Sequence, residues 1–377
     1  MRRPLTILLS LALLAGCGTT TPGISVPERL ELSAGLSTPV LPPPSASTLS
    51  SAAASASASA SPPAAPPPPA APPAQFGNPA GKAAVPAEAK AEDTSRPSRV
   101  IGTGTPDSCT SQAVVSAVAA GGVITFNCGP AATTITMTDT AKVKAGPKIV
   151  LDGGGRVTLS GGGKRQILVM DVPNQSGPQL VLQNISFTDG NSATDDGGGA
   201  VYVRGGKVKV VNARFAKNRC AANGPDLGGA GLRVNQARSA PVYVVSSTFE
   251  DGSCANGGAL SGLHVTFIVL NSVLRRNNAI GRGANPARPG TPGGGSGGAI
   301  YTDGDKFTVR IAGSIVEDNH ANEGGGAVFF VSNDRSGSMS IEGSTLRRNR
   351  SDGFETIKGI FYLGTGEKPA VSGSTIS

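Results

Sequence analysis

The chain has no tryptophan, four tyrosines and two histidines in 377 residues. Sugar-binding clefts usually stack aromatic rings on the sugar rings, so this composition offers little for that work. The 11 phenylalanines fall mostly at positions expected to be core. No basic stripe interleaved with aromatics is present, which argues against a nucleic-acid partner. No helical hydrophobic period is sustained through the C-terminal repeats. The longest apolar run near the start is about half the roughly 20 residues a bilayer span requires.

That run is informative for another reason. Arg2 and Arg3 precede an apolar stretch from Leu5 to Leu14, followed by Ala15, Gly16 and Cys17. A charged start, a short apolar core and small residues mark an export signal. The Leu-Ala-Gly-Cys ending resembles the lipobox of bacterial lipoproteins. That resemblance implies a signal peptide over 1–16, cleavage before Cys17 and a diacylglycerol on its sulfur. Gly18 and Thr19 lack the aspartate that would imply inner-membrane retention, so the expected location is the outer membrane or cell surface.

Residues 17–99 are dominated by Pro, Ala and Ser, as in "SAAASASASASPPAAPPPPAAPPAQ" from Ser51 to Gln75. Such chain has almost nothing larger than alanine to bury and reads as a disordered stalk. At about 3.1 Å per residue it would hold a domain well off a membrane. Six of the 33 basic and five of the 25 acidic residues fall before position 98, leaving the remainder at about +7. That excess favours anionic surfaces weakly.

Residues 100–377 carry a repeat. "ISFTDGN", "ARFAKNR", "STFEDGS", "SVLRRNN", "SIVEDNH" and "STLRRNR" align, and "STIS" begins a seventh. The large apolar residue in each is Phe187, Phe215, Phe249, Leu274, Val316, Leu346 and Ile376, spaced by 28, 34, 25, 42, 30 and 30. Gly-Gly-Ala follows the first five, ending at Ala200, Ala230, Ala259, Ala299 and Ala327. Alternating runs such as "KVKVVNARF" lie between, the pattern of half-buried strands. Strands recurring every 25–30 residues predict an all-β solenoid, a right-handed parallel β-helix, rather than a propeller with its longer blades.

Stacking turns matching letters into neighbours about 4.8 Å apart. Three places after each core residue stand Gly190, Asn218, Gly252, Asn277, Asn319 and Asn349. Gly and Asn accept left-handed backbone most cheaply, so these are the expected corners. Glu317 and Asp318 then fall between Arg275/Arg276 and Arg347/Arg348, a charge ladder rather than an active site. His320 shares a variable, solvated column. Cys220 and Cys254 each lie five places after a core phenylalanine, close enough once stacked for a disulfide; free thiols are the alternative.

The pairing of these turns with "GGAVYV", "GGAIYT" and "GGAVFF" resembles the polymorphic outer-membrane-protein repeat, shared loosely with the pectin-lyase-like superfamily. The resemblance covers about residues 180–377. "SQAVVSAVAAGGVITF", flanked by Cys109 and Cys128, resembles the helix and first strand that cap such solenoids, here over 107–130, and a bond between those cysteines would staple the cap. The resemblance implies a surface protein and permits a polysaccharide lyase or glycoside hydrolase. The acidic residues outside the ladder are scattered, which favours a non-enzymatic adhesion or glycan- or protein-binding role. Asp303-Gly304-Asp305 reads as a turn between strands, with calcium the only cofactor it would suggest. All extra loop length enters at one corner, and insertions on one face often mark a binding side. The expected binding face is Asp195, Asp196, Asp226, Arg282 and Arg288, the arginines facing an anionic polysaccharide.

Overall fold

The computed structural model describes residues 72–377, except 145, 173–176 and 194–195. Residues 1–16, Cys17, the first part of the expected stalk and Asp195 lie outside these residues. Strands stack in parallel, each pairing with its equivalent one repeat later, in sheets of 17, eight and six strands among the described residues. The chain is an all-β solenoid.

One coil shows the construction. Lys207–Val211 and Arg214–Ala216 lie in the 17-stranded first sheet, Val201–Arg204 in the eight-stranded second, and Arg219–Cys220 in the six-stranded third. Alternate side chains point inward, and Val201, Val203, Val208, Val210 and Phe215 join one continuous core. The register places Phe187, Phe215, Phe249, Leu274, Val316, Leu346 and Ile376 in a single column. Phe187, Phe215 and Phe249 stack face to face with centroids 4.9 and 4.4 Å apart. The column runs further upstream than the repeats near residue 180: Leu159 faces Phe187, and Ile135 faces Leu159. Those early coils lack the Gly-Gly-Ala marker, so only pairing reveals them.

The helix Ser111–Ala120 packs Val114 and Val118 into the same core, and Thr110 caps it by accepting the Ala113 N–H. Cys109 and Cys128 are bonded, with Cα atoms 5.7 Å apart. Cys220 and Cys254 are bonded across neighbouring coils, with Cα atoms 4.7 Å apart.

The corner is displaced by one residue from its expected place. Left-handed φ is found at Asp189, Lys217, Asp251, Arg276, Asp318 and Arg348, two places after each core residue. The Asn/Gly column beside it is buried and does another job. Asn319 Oδ1 accepts from Asn277 Nδ2 at 2.9 Å, and Asn349 Oδ1 accepts from Asn319 Nδ2 at 2.8 Å. Interior amides must be satisfied, and a ladder satisfies each from the next coil. Gly190 and Gly252 fill the column for want of room, since a Cβ would meet Gly199 O at 2.5 Å and Gly258 O at 2.0 Å.

The charge ladder forms in blocks. Glu250, 3% exposed, binds Arg214, Arg275 and Arg276 at 2.6–3.0 Å. Glu317 and Asp318 bind Arg347 and Arg348 at 2.6–3.2 Å. Arg275 faces Glu317 in the register yet bonds to Glu250. A buried carboxylate without a partner is far costlier than an exposed one, so Glu250 takes the arginines.

The ordered unit also begins earlier than residue 100. The last part of the expected stalk, 72–98, lies along the outside of the first sheet. Val211, Val245, Leu270 and Ala312 point outward there and pack against Ala83, Val85 and Ala89. The physical reason is local: past Gln75 the Pro/Ala run gives way to Phe76, Val85, Glu88 and Glu92, which have groups to dock.

Candidate binding face

The outward side of the second sheet carries a column of large side chains that are mostly buried and a cleft beside them that is not. Register aligns Tyr202, Arg233, Ser261, Tyr301, Phe329 and Phe361 in one outward column. Arg204, Asn235, Leu263, Asp303, Val331 and Leu363 form the next. In the first column polar residues give way to phenylalanine after Tyr301, and in the second Asp303 is the last polar residue.

There a cleft of about 320 Å³ opens, lined by Asp226, Asp303, Asn285, Asn333 and His264 among others. Asn285 Nδ2 lies 2.7 Å from Asp226 Oδ1 and 2.9 Å from Asp303 Oδ2. The buried Tyr301 hydroxyl is 3.1 Å from the first of these oxygens and 3.3 Å from the second. Asn333 donates to the other oxygen of Asp303 at 2.9 Å. Two carboxylates thus share one amide and one phenol.

The electrostatics follow from that sharing. Burial, with the charge of Asp226 adding to it, raises the pKa of Asp303 despite the Asn333 hydrogen bond. Burial and the two carboxylates push Tyr301 well above the ordinary phenol value, so it remains a donor. Beneath the neighbouring loop lies Arg233, 3% exposed, donating to Ser261 Oγ at 2.8 Å. Burial lowers its pKa, opposed by the fields of Tyr301, Tyr202, Asp226 and Asp196.

From Tyr301, aromatic rings continue along the later coils. Tyr301 and Phe361 each stack on Phe329 at 5.1 Å, and Phe354 meets Phe361 edge-on at 4.9 Å. Phe354 and Phe361 are half-exposed. The expectation that phenylalanine serves mainly the core misses Phe361, because it takes the outward position that Phe329 takes after Gly-Gly-Ala-Val in the preceding coil.

The expected face is divided among several places. Asp226 meets the long loop through Asn285 in the cleft just described. Asp196 lines a second opening of about 410 Å³ with Lys142, Asp171 and Tyr202. Arg288 is spent internally, bidentate to Glu323 at 2.8 and 3.0 Å, and Glu323 also accepts from Gly283 N at 2.8 Å. It pins the loop. Arg282 is exposed and its charge helps lower the pKa of Asp352, the partner of His320 at 2.9 Å. Asp303 and Gly304 are not a turn but the end of the strand Ile300–Gly304, facing Val331 and Ser332. No group of three or more metal-ligating side chains occurs among the described residues.

Asn285 and Asn333 carry no local motif, and Tyr301 falls in "GGAIYT" with nothing in that motif to mark it as facing the acids. The one usable signal was columnar: an outward position filled by Tyr, Phe and Phe in successive coils.

No family model, curated protein or solved structure matches this chain. Its function therefore rests on its own geometry.

Proposed function

We propose that this chain is an exported, lipid-anchored surface protein whose solenoid binds glycans on the outward side of its second sheet. The anchor is Cys17 of the lipobox-like sequence, the location is the outer membrane or cell surface, and the stalk is the Pro/Ala/Ser run before residue 72. The fold is the right-handed form of the parallel β-helix, the usual hand of parallel crossovers, with Ser111–Ala120 as its N-terminal cap. No helix among the described residues is long and apolar enough to cross a membrane, and the lipid supplies the attachment.

One observation carries the binding role: Asp226 and Asp303 are fixed side by side in an open cleft, and the coils after Tyr301 continue outward as stacked rings to the partly buried Phe354 and Phe361. Fixed carboxylates and amides receive pairs of sugar hydroxyls, while rings cover the apolar C–H face. A lyase or glycosidase is the second reading, favoured by the raised pKa of Asp303 beside a second carboxylate. Binding fits better because the facing oxygens of both acids are tied to Asn285 and Tyr301.

The test is calorimetry of the full chain against neutral and uronate oligosaccharides, with reducing ends and unsaturated products followed in parallel. Asp303→Ala is expected to weaken binding about tenfold, roughly 1.4 kcal/mol, with no product from either protein. Product that depends on Asp303 establishes the enzyme reading. No binding by the unaltered chain ends the proposal.

A further inference from the structure

The outer face of the first sheet grips residues 72–98 in an unusual way: it reads main chain. Gln183 accepts from Glu92 N at 2.8 Å and donates to Glu92 O at 3.0 Å. Asn271 does the same to Ala83, accepting at 2.9 Å and donating at 2.9 Å. Asn212 accepts from Phe76 N at 2.8 Å and donates to Ala74 O at 3.4 Å. Three side-chain amides, each on a different coil, thus pair with extended backbone as a neighbouring strand would.

Charge adds specificity to this pairing. Lys209, 3% exposed, donates to Glu88 O, Lys90 O and Glu92 Oε1, which uses all three of its ammonium donors. Lys148 binds the other Glu92 oxygen at 2.9 Å, and Tyr243 donates to Glu88 Oε1 at 3.0 Å. The groove is complementary to an Ala/Pro-rich peptide, extended at Ala83 and Glu92 with one turn at Ala87–Ala89 between them, and with acids four places apart. The segment supplies only Ala83, Val85 and Ala89 to a small satellite cluster and none of its side chains to the main core.

We propose that this groove is a peptide site whose second ligand is the same segment of another copy, so that two chains exchange residues 72–98 and form a dimer. Exchange preserves every contact, including Glu92 between Lys148 and Lys209. The choice between the two arrangements is then set by concentration alone. A tethered segment competes at an effective concentration of about millimolar, so crowding chains together drives the exchange. The segment contributes nothing to the main core, and the exposed Ser95 and Arg96 form the joint between it and Ser98, which is held to Val123 ahead of the first strand, Arg99–Ile101.

Carbodiimide couples a lysine to a carboxylate only where they touch, and Lys148 and Glu92 are both accessible to it. Isotopically heavy and light full-length chains are unfolded together, refolded at low and at millimolar concentration, and coupled. Exchange predicts Lys148–Glu92 peptides carrying one heavy and one light half, rising with concentration toward the statistical share. It also predicts a covalent dimer that Glu92→Gln abolishes. Cross-linked peptides of a single label at every concentration overturn the proposal. So does a dimer lacking mixed Lys148–Glu92 peptides, since its interface lies elsewhere.

Discussion

The outer sides of the first and second sheets are built on the same coils and the same core, yet they end in opposite states. The first presents Gln183, Asn212, Asn271 and Lys209, and every one of these is satisfied by residues 72–98. The second presents Asp226 and Asp303 in a cleft open to solvent, with the partly buried Phe354 and Phe361 on later coils. Inward positions repeat because coils must bury the same face; outward ones are free to vary, and there the chain places its chemistry. Polar groups that a segment of the chain already covers speak for docking, and those left facing water speak for a ligand.

The comparison is broken most strongly at what the two faces share. Phe215→Ala removes the middle ring of the buried stack and should cost about 3–5 kcal/mol, lowering the denaturant midpoint and loosening both faces together. Loss of the cleft alone, with the segment 72–98 still protected from hydrogen exchange, would mean the faces do not rest on one core.

A smaller effect is expected from Cys220→Ser with Cys254→Ser. Their bond spans 34 residues beside the loops that hold Asp226, and its removal should cost on the order of 2–4 kcal/mol. Exchange should rise first in the loop around residue 226 and little under the segment 72–98, which sharpens the distinction. Uniform loosening would contradict it.

Acid should separate the faces with the least perturbation. Burial raises the pKa of Glu92, but hydrogen bonds and charge from Lys209 and Lys148 outweigh it, and the net shift is below the ordinary 4.5. A lowered carboxylate stabilises above its unfolded pKa and loses that contribution as pH falls through the folded one. Asp303 is shifted the other way, above 3.8, so its penalty is present at neutral pH and is relieved as acid protonates it. Between neutrality and about pH 3, hydrogen exchange should therefore rise under residues 83–94 and fall around Asp303. Both regions moving in one direction would show that these two carboxylates do not govern their faces.

Some of this was legible from letters alone. The column Phe187 to Ile376 and the Cys220–Cys254 pair required only that equivalent residues stack, and a repeat guarantees it. The corner was misplaced by one residue because Asn serves both left-handed bends and buried amide ladders, and composition does not tell these apart. Arg288 looked free for a ligand until folding set it against Glu323. Asp303 looked like a turn until the strand Ile300–Gly304 paired through it.

The sequence by itself determined the solenoid, its inward columns and which charges share a column, since each follows from spacing once coils are piled in register, while the pairing within the charged columns was decided by burial of Glu250. Only the tertiary structure decided that residues 72–98 close one face, and that Asn285 and Tyr301 join Asp226 to Asp303 on another. Those contacts link residues from loops and coils of unequal length, with no common period. Their partners are chosen by shape and by the need to satisfy buried polar groups, which no repeat encodes.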